Sequence, residues 1–257
     1  MDSKELYLDK NLILSEQCER LTPEFCKHVI NRFKEDDRKV DGGFGRQGRT
    51  DHSIKHSIDL NITDPTIFPT WKNENLRFRQ CLNSVLGSYE LALGDTHERL
   101  FPFYDCDEGV RNSGFQIQYS PANTTGYDWH SDEHIFGRTN RETFRTQTWN
   151  RGLTYIFYLN DVPDGSGYTE FIDGTKIQPR TGKFLIFPAT WTYLHRGYPT
   201  DHDKYIATGW IYGKRTFNVR RQHEPNEVAL QPDRVKEITD HNPVPDAFKT
   251  VDGRRFI

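Results

Sequence analysis

A chain of 257 residues with 34% hydrophobic and 28% charged residues has room for one large all-β or mixed domain. Its apolar share is low, but 17 Phe, 12 Tyr and 5 Trp bury much surface per residue, so a sizeable core is expected. A formal net charge of -3 excludes an overall attraction to nucleic acid or anionic membrane. Asp2, Lys4, Glu5, Asp9, Lys10, Glu16, Glu19 and Arg20 leave no apolar stretch for a signal peptide, and no apolar run approaches a membrane span. The four cysteines, Cys18, Cys26, Cys81 and Cys106, lack metal-type spacing and read as reduced thiols. The expectation is a cytoplasmic protein.

In chain order, Thr22-Pro23-Glu24 starts a helix with a hydroxyl cap, a proline at the first helical position and an acid in the first turn. Cys26, Val29, Ile30 and Phe33 give it one apolar face. Between this helix and the next lies a glycine-rich loop, Gly42 to Thr50. Gly43, Gly45 and Gly48 satisfy the dinucleotide glycine pattern there. A polar, charged stretch precedes them and no helical periodicity follows, so the nucleotide reading is rejected; a flexible loop is expected, with cover for an active site as its second role. A second helix is predicted over about Trp71 to Leu93, where Phe78, Leu82, Val85, Tyr89 and Leu93 form a packing stripe.

From Ser113 the texture changes to strands. Phe115, Ile117 and Tyr119 alternate with Gln116 and Gln118, and strand-like runs follow at Leu153 to Leu159, Phe184 to Phe187 and Tyr205 to Tyr212. Asp164-Gly165, Asp173-Gly174 and Thr181-Gly182 mark turns between them. The pattern indicates an antiparallel sandwich or barrel. Three stretches are expected: residues 1–112 as support continuous with the core, 113–214 as the core, and 215–257 as an extended, proline-punctuated tail.

The candidate chemistry starts at His130 and Asp132. Two residues apart on a strand, they point to one face and can grip a metal ion. About one His-x-Asp triplet is expected by chance in a chain of this composition, so context must carry the reading. His195, closing the loop after the strand at 184–187, is the candidate third ligand. Two His and one carboxylate with open positions is the facial-triad pattern of non-haem Fe(II) sites. Lys204, nine residues on, shares a strand face with Ile206, Thr208 and Trp210 by period two. A lysine buried there needs an anion, and a dicarboxylate bound to the metal by one end supplies one.

These residues resemble the Fe(II)- and 2-oxoglutarate-dependent oxygenases, most closely the prolyl 4-hydroxylase branch. The resemblance rests on the order His130-x-Asp132, His195, Lys204, on Tyr119 and Asn123-Thr124-Thr125-Gly126-Tyr127 before the first histidine, and on Ser166-Gly167-Tyr168-Thr169-Glu170-Phe171. It covers Ser113 to Tyr212 well and the N-terminal helices and Arg49-Thr50 loosely. It implies a mainly β fold with flanking helices, the double-stranded β-helix or jelly roll, with Fe(II), 2-oxoglutarate and O2 as cofactors and ascorbate as a candidate reductant. Carried across by position, Tyr119 and Tyr158 give hydroxyls to 2-oxoglutarate, and Lys204 with Thr208 binds its distal carboxylate. Tyr127, Arg151 and Trp210 fall where prolyl hydroxylases hold substrate. The cation is lysine, as in collagen-type and bacterial enzymes, where the hypoxia-sensing branch has arginine, and Ser166 opens the family's Gly-Gly turn. Both leave the subfamily open.

The resemblance implies decarboxylation of 2-oxoglutarate to succinate and hydroxylation of a C–H bond, with a prolyl residue in a peptide or protein as the leading substrate. Because Asp132 fills the carboxylate position, hydroxylation is expected over halogenation. The alternatives are a hydroxylase of a free amino acid or other small molecule, and a non-catalytic jelly-roll binding module. A zinc cluster of His134 with His130 and Asp132 leaves Lys204 and the tyrosines unexplained. Arg138, Arg141, Arg145 and Arg151, interleaved with Phe136, Phe144 and Trp149, form a solvated loop face or a substrate lid. Arg-Gly-Tyr-Pro-Thr-Asp-His-Asp-Lys after His195 departs from the arginine-bounded segment of base-demethylating members, so no nucleic-acid partner is expected.

Overall fold

The structure, a computed structural model, describes residues 12–45, 48–93, 111–139 and 145–218, of which 111, 135–139, 145–149 and 213–218 are described by their backbone alone. The chain divides into two compact units, residues 1–139 with 147–216 and residues 140–146 with 217–257. In the second unit only strand ends at 145–146 and 217–218 are described, and the architecture is that of the first.

Both expected helices form. The helix α1 (Pro23–Glu35) is capped as its sequence dictates, with the Phe25 amide donating to Thr22 Oγ1 at 3.3 Å. The helix α2 (Lys72–Leu93) presents Phe78, Leu82, Val85, Tyr89 and Leu93, all buried. No described helix is long and apolar enough to cross a membrane.

The strands are β1 (Leu14–Gln17), β2 (Val40–Asp41), β3 (Ile58–Asn61), β4 (Arg111–Asn112), β5 (Gln116–Ser120), β6 (Tyr127–His130), β7 (Ile135–Thr139), β8 (Arg145–Tyr158), β9 (Thr169–Phe171), β10 (Lys176–Ile177), β11 (Lys183–Pro188), β12 (His195–Gly197) and β13 (Lys204–Asn218). The major sheet runs β1-β11-β8-β13-β5-β3-β2, with β4 paired to β13 and β7 to β8; the minor sheet runs β10-β9-β12-β6. The registered pairs are antiparallel. The fold is therefore a mainly β jelly roll with two helices, as expected.

Side-chain alternation on the major sheet decides what each face does. Leu153, Tyr155 and Phe157 of β8, Phe184 and Ile186 of β11, Tyr205, Ala207 and Ile211 of β13, and Ile117 of β5 join a buried cluster with Val29 and Phe33 of α1 and Phe78 and Val85 of α2. The opposite face carries Ile156, Tyr158, Leu185 and Phe187, which cluster with Phe171 of the minor sheet. The site lies on this second face.

Two expectations need correction. Residues 135–139 and 145–151 are strand rather than loop, since β7 pairs with β8. Arg141 and Phe144 lie outside the described residues, as do the side chains of Phe136, Arg138, Arg145 and Trp149. The chain from 215 does not begin as a tail, because β13 continues to Asn218; residues 219–257 lie outside the description. Strands β1 and β3 carry too few apolar residues to stand out in sequence and are stabilised by pairing with β11 and β5. Cys18, Cys26 and Cys81 are buried free thiols, and Cys106 lies outside the description.

Candidate metal and anion site

His130 ends β6 and His195 begins β12, and the antiparallel register sets the two directly opposite one another. Their rings lie 4.2 Å apart between centroids. Asp132 sits beyond the strand end rather than on the strand, yet its Oδ1 is 3.9 Å from His130 Nε2 and its Oδ2 is 3.6 Å from His195 Nε2. The ligand atoms of all three residues lie within 4.8 Å of one another, and among the described residues this is the group of His, Cys, Asp and Glu that can hold a metal ion. His134 is not part of it.

The three donors are set up for a cation. His130 Nδ1 donates to the Asp128 carbonyl at 2.7 Å and His195 Nδ1 to the Tyr193 carbonyl at 3.0 Å, which leaves each Nε2 with a lone pair facing Asp132. Burial, reinforced by repulsion from His195, pushes the His130 pKa down to about 4, so the imidazole is neutral at neutral pH. Burial acts against ionisation of Asp132, but His195, His130 and the Thr154 hydroxyl outweigh it and hold the carboxyl below its usual range. Thr154 Oγ1 donates to Asp132 Oδ2 at 2.7 Å. Two imidazoles whose Nε2 atoms face one carboxylate suit a divalent ion with open positions.

Thr154 was not singled out in the sequence, although a hydroxyl inside the apolar run Leu153 to Leu159 is the signal that betrays it. Thr154→Val is expected to weaken metal binding about 10-fold through loss of carboxylate orientation, with little change in fold. A competition titration against a chelator measures this.

A cavity adjoins the three donors, lined by Gln118, Tyr127, Thr154, Ile156, Thr169, Lys204, Ile206, Thr208 and Trp210 among others. The period-two face of β13 is therefore present as expected. Lys204 is 7% exposed, and no described residue gives its ammonium a hydrogen bond or counter-ion. Burial alone pushes its pKa down to about 8. An unpartnered cation that lines the same cavity as a metal-type donor set fits a ligand with one anionic end for each. Thr208 lines the same cavity while its hydroxyl donates to the Tyr155 carbonyl at 2.9 Å.

The two tyrosines expected near the cosubstrate part company. Tyr158 is on the site-side face of β8 and fully buried, with its hydroxyl 2.8 Å from that of Thr169, a cavity residue. Tyr119 is a correction: it points to the opposite face, stacked on Tyr205 at 4.5 Å and edge-on to Phe33, with its hydroxyl donating to Asp203 at 2.9 Å. The reason is the pleat. Gln118 and Ser120 take the cavity face of β5, so Tyr119 between them cannot.

Beside this cavity lies a second, more open cleft of about 390 Å³, lined by Gly43, Phe44, Gly45, Lys55, Gln116, Gln118, Tyr127, Ser131, Asp132, Glu133, His134, Arg151 and Trp210. The three residues expected to hold substrate meet here. The Arg151 guanidinium lies 3.4 Å from the centre of the Trp210 ring, and Tyr127 stacks on His130 at 3.6 Å. The glycine loop lines the same cleft. Gly126 lets Tyr127 reach this position: its φ is +73°, and a Cβ there would overlap the Gly197 carbonyl. Gly126→Ala is expected to cost about 1–3 kcal/mol and to displace Tyr127 and His130, seen as a lower Tm together with weakened metal binding.

With this geometry in view, residues 115–212 match the 2OG-Fe(II) oxygenase superfamily. The match is confined to this segment, which is less than half of the chain. The oxygenase segment contains His130, Asp132, His195, Lys204 and the cavity between them, whereas Lys55 and the glycine loop precede it. A search of curated proteins returns no match to the chain. Among solved structures, the chain is similar to a prolyl hydroxylase from Trichoplax adhaerens in complex with a hypoxia inducible factor oxygen degradation domain peptide fragment, with TM-score 0.57, 15% identity, and 79% of this chain and 84% of that one covered. It is also similar to a Pseudomonas putida prolyl-4-hydroxylase, with TM-score 0.51, 13% identity, and 80% and 94% covered. At such identities the similarity supports the shared fold of the oxygenase segment and its flanking helices.

Proposed function

We propose that this 2-oxoglutarate-dependent dioxygenase hydroxylates a prolyl residue in a peptide or protein, with His130, Asp132 and His195 holding Fe(II) and Lys204 binding the distal carboxylate of 2-oxoglutarate. The observation that carries the site assignment is the buried, unpartnered Lys204 on the cavity of the two imidazoles and Asp132. When bound, Fe(II) supplies the centre at which O2 is reduced as 2-oxoglutarate becomes succinate and CO2, one oxygen atom entering succinate and the other a substrate C–H bond.

The chain's own residues do the rest. The carbonyls of Asp128 and Tyr193 hold the imidazole tautomers, and Thr154 holds the carboxylate. Lys204 supplies the positive charge on the cavity wall, and Thr169, bonded to the buried Tyr158, and Thr208 line the same cavity. Ile156 and Ile206 keep the cavity wall apolar and exclude water. Tyr127, Arg151 and Trp210 border the open cleft, which has the size for an extended peptide segment, and they are the proposed substrate contacts. Ascorbate is proposed as the reductant that restores Fe(II) after uncoupled turnover.

The test is incubation of Fe(II)-loaded protein with 2-oxoglutarate, ascorbate, air and a library of proline-containing peptides. Succinate release matched by a product one oxygen atom heavier at proline is expected. Succinate matched by oxygenation of free amino acids alone would contradict the peptide substrate.

A further inference from the structure

Lys55 is 4% exposed and lies outside the oxygenase segment, yet it lines the open cleft. Its ammonium reaches three separate pieces of the chain. It donates to Asp59 Oδ2 on β3 at 2.8 Å and to the Gly43 carbonyl of the glycine loop at 3.2 Å, and it lies 5.5 Å from the centre of the Tyr127 ring on β6. The backbone repeats the same connection: Lys55 bridges Tyr127, the His56 amide donates to the Gly126 carbonyl, and the Asp128 amide donates to the Ile54 carbonyl, each of the last two at 2.8 Å. Asp59, 2% exposed, also accepts from Ser57 Oγ at 2.8 Å and from Gln116 Nε2 at 2.7 Å. Gln116 is itself a wall of the cleft.

We propose that Lys55 is a positioning residue for substrate binding: through its ion pair with Asp59 it fixes the Gly43–Gly45 wall, Tyr127 and Gln116 around the open cleft. A buried Lys–Asp pair is costly to desolvate, and packing alone is met as well by apolar side chains. What an apolar pair cannot do is hold a loop carbonyl and a glutamine amide at fixed points. Gly42 shows how closely the wall is held, since its amide donates to the Ser57 carbonyl at 2.8 Å and a Cβ there would overlap Ser57 Oγ. Because the Asp59 carboxylate can only accept, it takes the Gln116 amide nitrogen and leaves the amide oxygen as the end offered to a substrate donor such as a peptide N–H. Lys55 lines the open cleft and not the cavity around Lys204, so its larger effect is expected on the substrate side, although Tyr127 borders both.

The inference rests on the reading of this cleft as the substrate side. Lys55→Met strands the Asp59 charge and risks misfolding, so the decisive variant is the double Lys55→Met/Asp59→Leu, which removes both charges. Two measurements are made on the Fe(II)-loaded full chain. Trypsin cleavage after Arg49, which pairs with Phe44 beside this wall, is expected to be about fivefold faster than in wild type. The KM for a proline peptide turned over by the wild type is expected to rise about tenfold, equivalent to about 1.4 kcal/mol, while the KM for 2-oxoglutarate rises less. Unchanged cleavage, an unchanged peptide KM, or an equal rise in both KM values in the folded double variant overturns the proposal. If the wild type turns over no proline peptide, the substrate reading fails by itself, and cleavage after Arg49 decides whether Lys55 fixes the wall.

Discussion

Lys204→Met is expected to give a metal-free protein that is more stable than wild type and that binds 2-oxoglutarate about 100-fold more weakly or worse once metal is loaded. The two effects have one cause. The folded protein holds the Lys204 pKa at about 8, below the ordinary lysine value of 10.5. A folded pKa below the unfolded one means that the unfolded chain binds more protons between those values, so stability rises as pH increases through that window and is lowest below it. At neutral pH the buried ammonium therefore costs on the order of 3 kcal/mol, which methionine of similar length removes. Thermal unfolding of the metal-free proteins at pH 7 measures this difference, and it shrinks as pH approaches 10.

Metal and 2-oxoglutarate offset this difference, because at equal concentration the tighter 2-oxoglutarate binding stabilises the wild type more. The same lysine fixes the pH dependence of cosubstrate binding. The neutral amine present above about pH 8 must take up a proton to pair with the distal carboxylate, so affinity is expected to be flat below pH 8 and to fall about tenfold per pH unit above it. Titration calorimetry across that range reads the slope, and an affinity that rises with pH would contradict the role of Lys204.

Asp132→Ala is expected to abolish turnover and to lower metal affinity by more than about 100-fold, beyond the 10–100-fold typical of losing an outer partner such as Thr154. Two imidazoles held by carbonyls remain, but the only carboxylate among the three donors is gone. Lys204 keeps its place, so the variant separates the two ends of the site. Metal content after dialysis and succinate formation are the readouts, and full metal occupancy in the variant would remove Asp132 from the ligand set.

Much of this was legible in the residues because local rules and the global fold agree. Thr22-Pro23-Glu24 starts α1, and the period-two face from Lys204 to Trp210 lines one cavity. Tyr119 shows where position alone misleads. Its place before the first histidine resembles a cosubstrate tyrosine, but Phe115, Ile117 and Tyr119 alternate with Gln116 and Gln118, and the apolar set belongs to the helix-packed side. The pleat outweighs the resemblance. Lys55 was illegible for another reason. Its meaning comes from a loop carbonyl and a ring on β6 that are far from it in sequence or bonded through backbone geometry, and neither leaves a periodic signal. Thr154 falls between these cases, as an odd hydroxyl whose partner only the fold reveals.

The most direct test of the central claim is titration of 2-oxoglutarate into protein loaded with Fe(II) under anaerobic conditions, beside metal-free protein, Asp132→Ala and Lys204→Met. One metal-dependent site is predicted for the wild type, with binding lost on omission of metal, in Asp132→Ala and in Lys204→Met alike. Undiminished binding in any of these three would show that the imidazoles, Asp132 and Lys204 do not form a single 2-oxoglutarate site.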